Sequence, residues 1–170
     1  ISWLVVGVGS SAAIAGPLFA GMEVFGDSLS DVGNAYTATL NTYPPDPPYW
    51  NGRFSNGPVW VEYLAAQPKI GLPAPVPALL GGNDYAFGGA DTGTGGSLEG
   101  TPNMISQLGL YLTSHGGSAR SDELYVIWGG ANDLFDALEL QVAPDPVQWA
   151  HNVSSIVDTL YQSGGRAFLV

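Results

Sequence analysis

Cysteine is absent from the chain, which excludes disulfides and thiolate metal sites and leaves the redox compartment unread. Histidine is nearly as scarce. His115 and His151 are the only imidazoles in 170 residues, too few to expect a zinc site. Cationic side chains are the third scarcity: 4 Lys and Arg stand against 15 Asp and Glu, a formal net charge of -11. A phosphate backbone would be repelled by that charge, so nucleic acid is not an expected partner. The acids are scattered and form no tail, as on a solvated surface. Uninterrupted apolar runs are also lacking. Ile1 to Met22 carries no charged side chain, but Gly and Ser are frequent and Pro17 interrupts the stretch, so no stable membrane span is expected. Ala13-Ile14-Ala15 fits the small-x-small rule for signal peptidase. The stretch therefore reads as the apolar part of a secretory signal cut after Ala15, with a buried N-terminal strand or helix as the alternative. On that basis residues 1–21 are a signal remnant and leader, and residues 22–170 are one domain.

What the chain does contain is 24 Gly, 13 Pro and 45% hydrophobic residues, the mixture of a globular domain with many turns. It is organised around Val24-Phe25-Gly26-Asp27-Ser28-Leu29-Ser30-Asp31. Apolar residues run into a glycine, an acid and a serine, which reads as a buried strand ending in a tight turn that feeds a helix. Open α/β sheets place their ligands at the carboxyl ends of strands. A serine there can attack a carbonyl while backbone N–H groups receive the oxyanion. Taken alone, Ser28 could equally be a helix N-cap.

Farther along, Tyr43 to Trp50 holds four prolines and three aromatics, a stiff loop that either walls a cleft or is simply pinned by its rings. Gly57-Pro58 opens a helix closed by Pro68. Asn83 to Gly89 reads as a second strand running into glycines. Thr101 followed by Pro102 starts a helix with Ile105, Leu108 and Leu112 on one face, ended by Gly116-Gly117. Leu124 to Trp128 is apolar on both faces, as a central parallel strand should be. Asp145-Pro146 starts the longest helix, Gly164-Gly165 stops it, and Arg166 to Val170 begins a further strand. Strands alternating with helices predict an α/β fold, a parallel sheet covered on both faces.

Three polar or glycine-rich turns follow three of these strands, around Ser28, Gly89 and Asn132, and all should emerge at one edge of the sheet. Together they offer a hydroxyl, bare backbone N–H groups and a side-chain amide, the parts of an acyl-transfer site. Gly88 and Gly89 could instead serve a tight turn, and Asn132 could cap a helix. At this point the chain resembles the GDSL branch of the SGNH hydrolases, a family of serine esterases and lipases. Gly26-Asp27-Ser28-Leu29-Ser30-Asp31 with Gly33-Asn34 is similar to its first block. Asn51-Gly52-Arg53-Phe54-Ser55-Asn56-Gly57 with Val59-Trp60-Val61-Glu62 resembles the segment that follows in secreted bacterial members. Tyr85-Ala86-Phe87-Gly88-Gly89-Ala90 resembles the second block and Gly130-Ala131-Asn132-Asp133 the third, from about Met22 to the last residue.

The resemblance implies a three-layer α/β/α, flavodoxin-like fold with a mainly parallel sheet. It implies Ser28 as nucleophile, with oxyanion donors from the Ser28 N–H, the Gly89 N–H (Gly88 if the assignment slips by one) and the Asn132 amide. It implies an ester or lipid substrate, no metal or organic cofactor, and a secreted or cell-envelope bacterial location. Asp84 stands where many members have Asn, which puts the local hydrogen bonding in question. The family's base is a histidine three residues after an aspartate. Leu112 precedes His115 and Gln148 precedes His151 at that distance, so neither fits. The chain is thus expected to be the N-terminal part of a longer hydrolase, lacking the last strand and inactive alone. The alternative is a non-catalytic binding or surface-adhesion module on the same scaffold.

Overall fold

The computed structural model describes residues 18–97 and 100–170. The predicted signal sequence over residues 1–15 lies outside them. Strand β1 (Gly21–Gly26) is followed by α1 (Asn34–Ala38), α2 (Trp60–Ala65), a 3₁₀ turn (Ala78–Leu80) and α3 (Met104–Ser114). Then come β2 (Glu123–Trp128), α4 (Ala131–Glu139), α5 (Pro146–Ser163) and β3 (Ala167–Leu169). The three strands form a parallel sheet in the order β1-β2-β3, with Gly26 opposite Trp128 and Leu124 opposite Ala167.

Side-chain alternation along β1 sorts the core into two layers. Phe25 packs with Tyr125 and Ile127 of β2 against Met104, Leu108 and Tyr111 of α3 and Ile156 and Leu160 of α5. Met22 and Val24 face the other way, with Leu124 and Val126, onto Val32, Val59, Val61 and Ala65. The sheet is therefore covered on both faces, as the α/β reading expects.

Residues 83–87 run beside the free edge of β1. Val24 N–H donates to Asn83 O (3.0 Å), Tyr85 N–H to Val24 O (2.7 Å) and Phe87 N–H to Gly26 O (3.1 Å). The predicted second strand is thus in place, but next to β1 only the Val24–Asp84 bridge is formed. A parallel ladder would continue with Gly26 N–H on Tyr85 O. Gln107 takes that donor instead, through its Oε1 at 2.9 Å. The lateral order is then 83–87, β1, β2, β3. The chain reverses its direction of travel across the sheet at β1, and such a switch point opens a crevice at the strand's carboxyl end.

Several helix boundaries differ from expectation. No helix starts directly after Ser28; a turn intervenes and α1 begins at Asn34, with Gly33 as its N-cap at φ 126°. Pro58 does not open α2, because Val59 is its extended N-cap, and Glu62 Oε2 reaches back to accept the Val59 N–H (2.8 Å). Thr101 does not cap α3, whose N-cap is Asn103; its hydroxyl donates instead to Gly88 O (2.7 Å). The buried face of α3 is Met104, Gln107, Leu108 and Tyr111, rotated from the predicted Ile105–Leu108–Leu112 stripe. The longest helix is as read: Asp145 accepts the Gln148 N–H (3.0 Å), and Gly164 ends it where a Cβ would lie 2.3 Å from Ala119 O.

Candidate active site

Gly26 ends β1 where a Cβ would sit 2.4 Å from Trp128 O, so only glycine lets the chain turn this close to β2. The turn that follows consumes its own donors. Asp27 Oδ1 accepts the Leu29 N–H (2.9 Å), and Asp27 O accepts those of Ser30 (3.0 Å) and Asp31 (3.1 Å). The N–H groups of Leu29, Ser30 and Asp31 are therefore not free for a ligand. Ser28 itself is half-buried, and among the described residues neither its hydroxyl nor its N–H has a hydrogen-bond partner. It caps no helix, since Gly33 stands at that position.

The glycine pair divides its labour. Gly88 N–H donates to Asp31 Oδ2 (2.9 Å), so that donor is spent. Gly89 adopts φ +80°, and its N–H has no acceptor among the described residues. Asn132 is the second residue of α4, and Gly130, at φ 112°, is the N-cap. One amide hydrogen of Asn132 goes to Ala90 O (2.9 Å), which ties the side chain to the loop after Gly89 and leaves the other hydrogen unspent. Ser28 and Asn132 follow β1 and β2, and Gly89 follows the 83–87 segment, so all three stand at the carboxyl edge of the sheet.

Buried polar groups hold this edge together. Asp31, fully buried, accepts from the N–H groups of Gly33 (2.7 Å), Asn34 (2.6 Å), Ala35 (3.1 Å) and Gly88 (2.9 Å). It therefore fastens the nucleophile turn to the glycine loop. Asp84 accepts from Val32 N–H (2.7 Å) and Ala86 N–H (3.0 Å), while Asn34 donates to Asp84 O and Ala86 O. An acid at position 84 is thus well supplied with donors. Asp133 clasps Thr92 through both N–H (2.9 Å) and hydroxyl (2.7 Å), binding the glycine loop to α4. Burial raises the pKa of Asp27 and Asp31, and raises that of Asp84 well above the ordinary carboxylate range, with the charge of Asp31 adding to the effect.

Gln107 is the residue that sequence reasoning missed. Fully buried on α3, it accepts Gly26 N–H and donates from Nε2 to Gly26 O (2.9 Å) and Pro102 O (2.9 Å). The available signal was an amide at i+3 between Met104 and Leu108, on what is an apolar face.

Neither histidine joins the site. α3 begins beside Gly129, where Met104 packs, and ends at His115, beside a cavity lined by Glu23 and Asn83 toward the other edge of the sheet. Its 11 residues span roughly 16 Å. His115 Nδ1 lies 2.9 Å from Tyr111 O, and its ring stacks on Tyr111. His151 is exposed on α5. Among the described residues no cluster of acids and histidines could hold a metal ion, and no helix is long and apolar enough to cross a membrane. The proline loop is pinned by its aromatics, since Tyr43 and Tyr49 each meet Phe54 edge-on at 5.5 and 5.8 Å.

Comparison with known proteins identifies a family. The family model described as GDSL-like lipase/acylhydrolase matches residues 22–169. The chain is 35% identical over 163 residues to the phosphatidylcholine-sterol acyltransferase of Aeromonas hydrophila, covering 94% of this chain and 46% of that protein. It is 32% identical over 151 residues to lipase 1 of Photorhabdus luminescens, covering 88% and 21%. It is 29% identical over 166 residues to the inactive GDSL esterase/lipase-like protein 25 of Arabidopsis thaliana, covering 85% and 39%. The chain thus spans less than half the length of each of these relatives. A match that begins at Met22, ahead of the serine turn, and runs through β3 makes the chain a member of the GDSL-like lipase/acylhydrolase family.

Proposed function

We propose that the protein is a secreted carboxylic-ester hydrolase in which Ser28 is the nucleophile. The observation that carries this is the set of unspent donors at the sheet's carboxyl edge. Among the described residues the N–H groups of Ser28 and Gly89 and one amide hydrogen of Asn132 have no partner, whereas the N–H groups of Leu29, Ser30, Asp31, Gly88 and Ala90 around them are engaged. Such donors stabilise the oxyanion of a tetrahedral intermediate. Ser28 Oγ adds to the ester carbonyl carbon as a base takes the hydroxyl proton. The intermediate collapses by expelling the alcohol, which receives that proton, and water then cleaves the acyl-serine by the same steps. The positions of His115 and His151 support a base supplied from outside these residues. Without it the serine keeps its proton at neutral pH and the described residues alone are inactive. The acyltransferase and lipase names of two relatives support an acyl-ester substrate.

The distant histidines also favour a second reading, a non-catalytic module that keeps the cleft, as the name of the Arabidopsis relative allows. Ester hydrolysis by the full-length protein separates the two. Ser28→Ala is expected to abolish turnover, and Asn132→Ala to lower kcat roughly 10²–10³-fold with a smaller effect on KM. Hydrolysis that survives Ser28→Ala would overturn the nucleophile assignment. Absence of hydrolysis in the wild type would favour the module.

A further inference from the structure

Away from the serine turn, the cavity beside His115 measures about 550 Å³, within the range of small-molecule sites. Its floor is Glu23 of β1 and Tyr85 of the neighbouring segment, each only 6% exposed. Ser114 and His115, at the end of α3, stand at its rim. Pro73, Ala74, Val76 and Ala78 supply apolar walls. Side-chain alternation along β1 turns Glu23 to the same face as Phe25, which packs in the core under α3. There its Oε2 is buried, and among the described residues it has no hydrogen-bond partner. A buried polar atom without a partner is costly, and one that belongs to the floor of a cavity points to a ligand that supplies the missing bond.

The hydrogens around this carboxyl are already spent. Tyr111 O, which can only accept, takes the Ser114 hydroxyl (2.8 Å) and lies 2.9 Å from His115 Nδ1, so both groups direct their protons at it. Tyr85 OH then donates to Ser114 Oγ (3.1 Å). The Tyr85 oxygen keeps acceptor capacity, and His115 Nε2 is an acceptor in the neutral tautomer that this arrangement fixes. The N–H groups of Val76, Ala78, Gly81, Gly82 and Asn83 all reach oxygens of the chain itself. No lysine or arginine lines the cavity, and Glu123 of β2 sets a second carboxylate near Glu23. Acceptors in a negative field call for a cationic donor. A metal ion is poorly served, since among the described residues no group of three acids or histidines could hold one. We propose that this cavity binds a small aliphatic ammonium ion, with its N–H groups on Glu23 and its hydrocarbon body against Pro73, Val76 and Ala78. The site is separate from Ser28 and does not depend on the hydrolase reading. Glu23 must release its proton to take the ammonium. The groups that face it are Glu123 and Tyr125 from β2, Tyr85 from residues 83–87, and Tyr111 and His115 from α3. Burial and then Glu123 hold its pKa up at about 8. Affinity should therefore rise about tenfold per pH unit up to about 8 and then level off, until the amine itself loses its proton.

The test titrates n-hexylammonium chloride into the full-length protein by calorimetry at about pH 8, in phosphate buffer free of primary amines. 1-Hexanol serves as the neutral probe and hexyltrimethylammonium as the cation without N–H groups. Saturable binding of hexylammonium is expected, roughly ten- to hundredfold tighter than either probe, the span of a charge-assisted hydrogen bond. Glu23→Gln should lose a similar factor, and Ala74→Trp, at the exposed rim, should weaken binding by filling the mouth. Melting curves check that both variants fold, and either alone suffices if the other does not. From about pH 6 to about 8 the wild-type affinity should climb; His115→Gln should keep that climb and Glu23→Gln should lose it. No binding of hexylammonium below about 10 mM, equal affinity for either probe, or full affinity in a folded Glu23→Gln would each overturn the proposal. So would an affinity that falls as the pH rises, which would assign the cavity to a hydrogen-bond acceptor held by the protonated carboxyl.

Discussion

Gln107 does for Gly26 what an adjacent strand would otherwise do, presenting one acceptor and one donor to the same residue. Because its amide replaces the next ladder bond, the 83–87 segment is released from β1 just before the glycine pair. The Gly89 N–H can then remain unspent. Gln107 touches no substrate; it is a positioning residue. Removing it leaves the buried Gly26 N–H without an acceptor, at a cost of roughly 1–3 kcal/mol in stability, while Gly26 O keeps the Phe87 N–H. Gln107→Ala is expected to lower kcat by at least about tenfold at temperatures well below its melting point, with KM little changed. Gln107→Glu keeps the acceptor for Gly26 N–H but sets a carboxylate oxygen against Gly26 O, so it should not rescue kcat. Equal loss in KM and none in kcat would show a purely structural side chain. That Ser28 and Asn132 stand at one edge of the sheet was legible in the sequence, because each follows an apolar strand closely. Gln107 was not. Helical periodicity weighs apolar residues, and Ile105 and Leu112 outvoted an amide whose partner lies 81 residues away.

At the scale of elements, the site depends on how closely the glycine loop approaches the segment ahead of α2. Gly88 and Phe54 are the contact, and Tyr43 and Tyr49 hold Phe54 from behind. The order of strands and helices was readable from alternation of period, whereas cap positions were not. Pro58 and Thr101 look like helix starts by local chemistry. Tertiary contacts overrule both: Glu62 takes the Val59 N–H, and Thr101 is drawn to Gly88 O. The paired roles of Gly88 and Gly89 also stayed ambiguous, because the distinction is made by Asp31, a partner 57 residues away in sequence. A substitution series checks the contact. Gly88→Ala should destabilise the protein by roughly 1–3 kcal/mol through overpacking, while Gly57→Ala, whose Cβ would meet nothing within 4 Å, should be near neutral. Adding Phe54→Leu to Gly88→Ala should recover part of the loss. Thermal melting of the wild type, the three single variants and the double variant decides it, and additive effects of Gly88→Ala and Phe54→Leu would disprove the contact.

The whole molecule carries a net charge of -11, and several of its carboxyls are nevertheless buried. Glu23 is the most informative of them. It sits in β1 at 6% exposure, and among the described residues its buried Oε2 has no hydrogen-bond partner. Burial, and then the carboxylate of Glu123 on the neighbouring strand, push its pKa from 4.5 up to about 8. The folded state therefore holds a proton on Glu23 that the unfolded chain has already released. Stability from this group is complete below about pH 4.5, declines as the pH rises, and is lost by the time it passes about 8. Glu23→Gln keeps the shape and removes the titration. The melting temperatures of wild type and variant should differ little at pH 4, and the variant should gain progressively from pH 5 to 8. Above that the advantage should level off, on the order of 5 °C or more. Asp31 and Asp84, also raised by burial, lower the stability of both proteins alike as the pH rises, so the difference isolates Glu23. Melting curves that stay parallel from pH 4 to 9 would mean that Glu23 is ionised in the folded protein, with a counter-charge reaching it in solution.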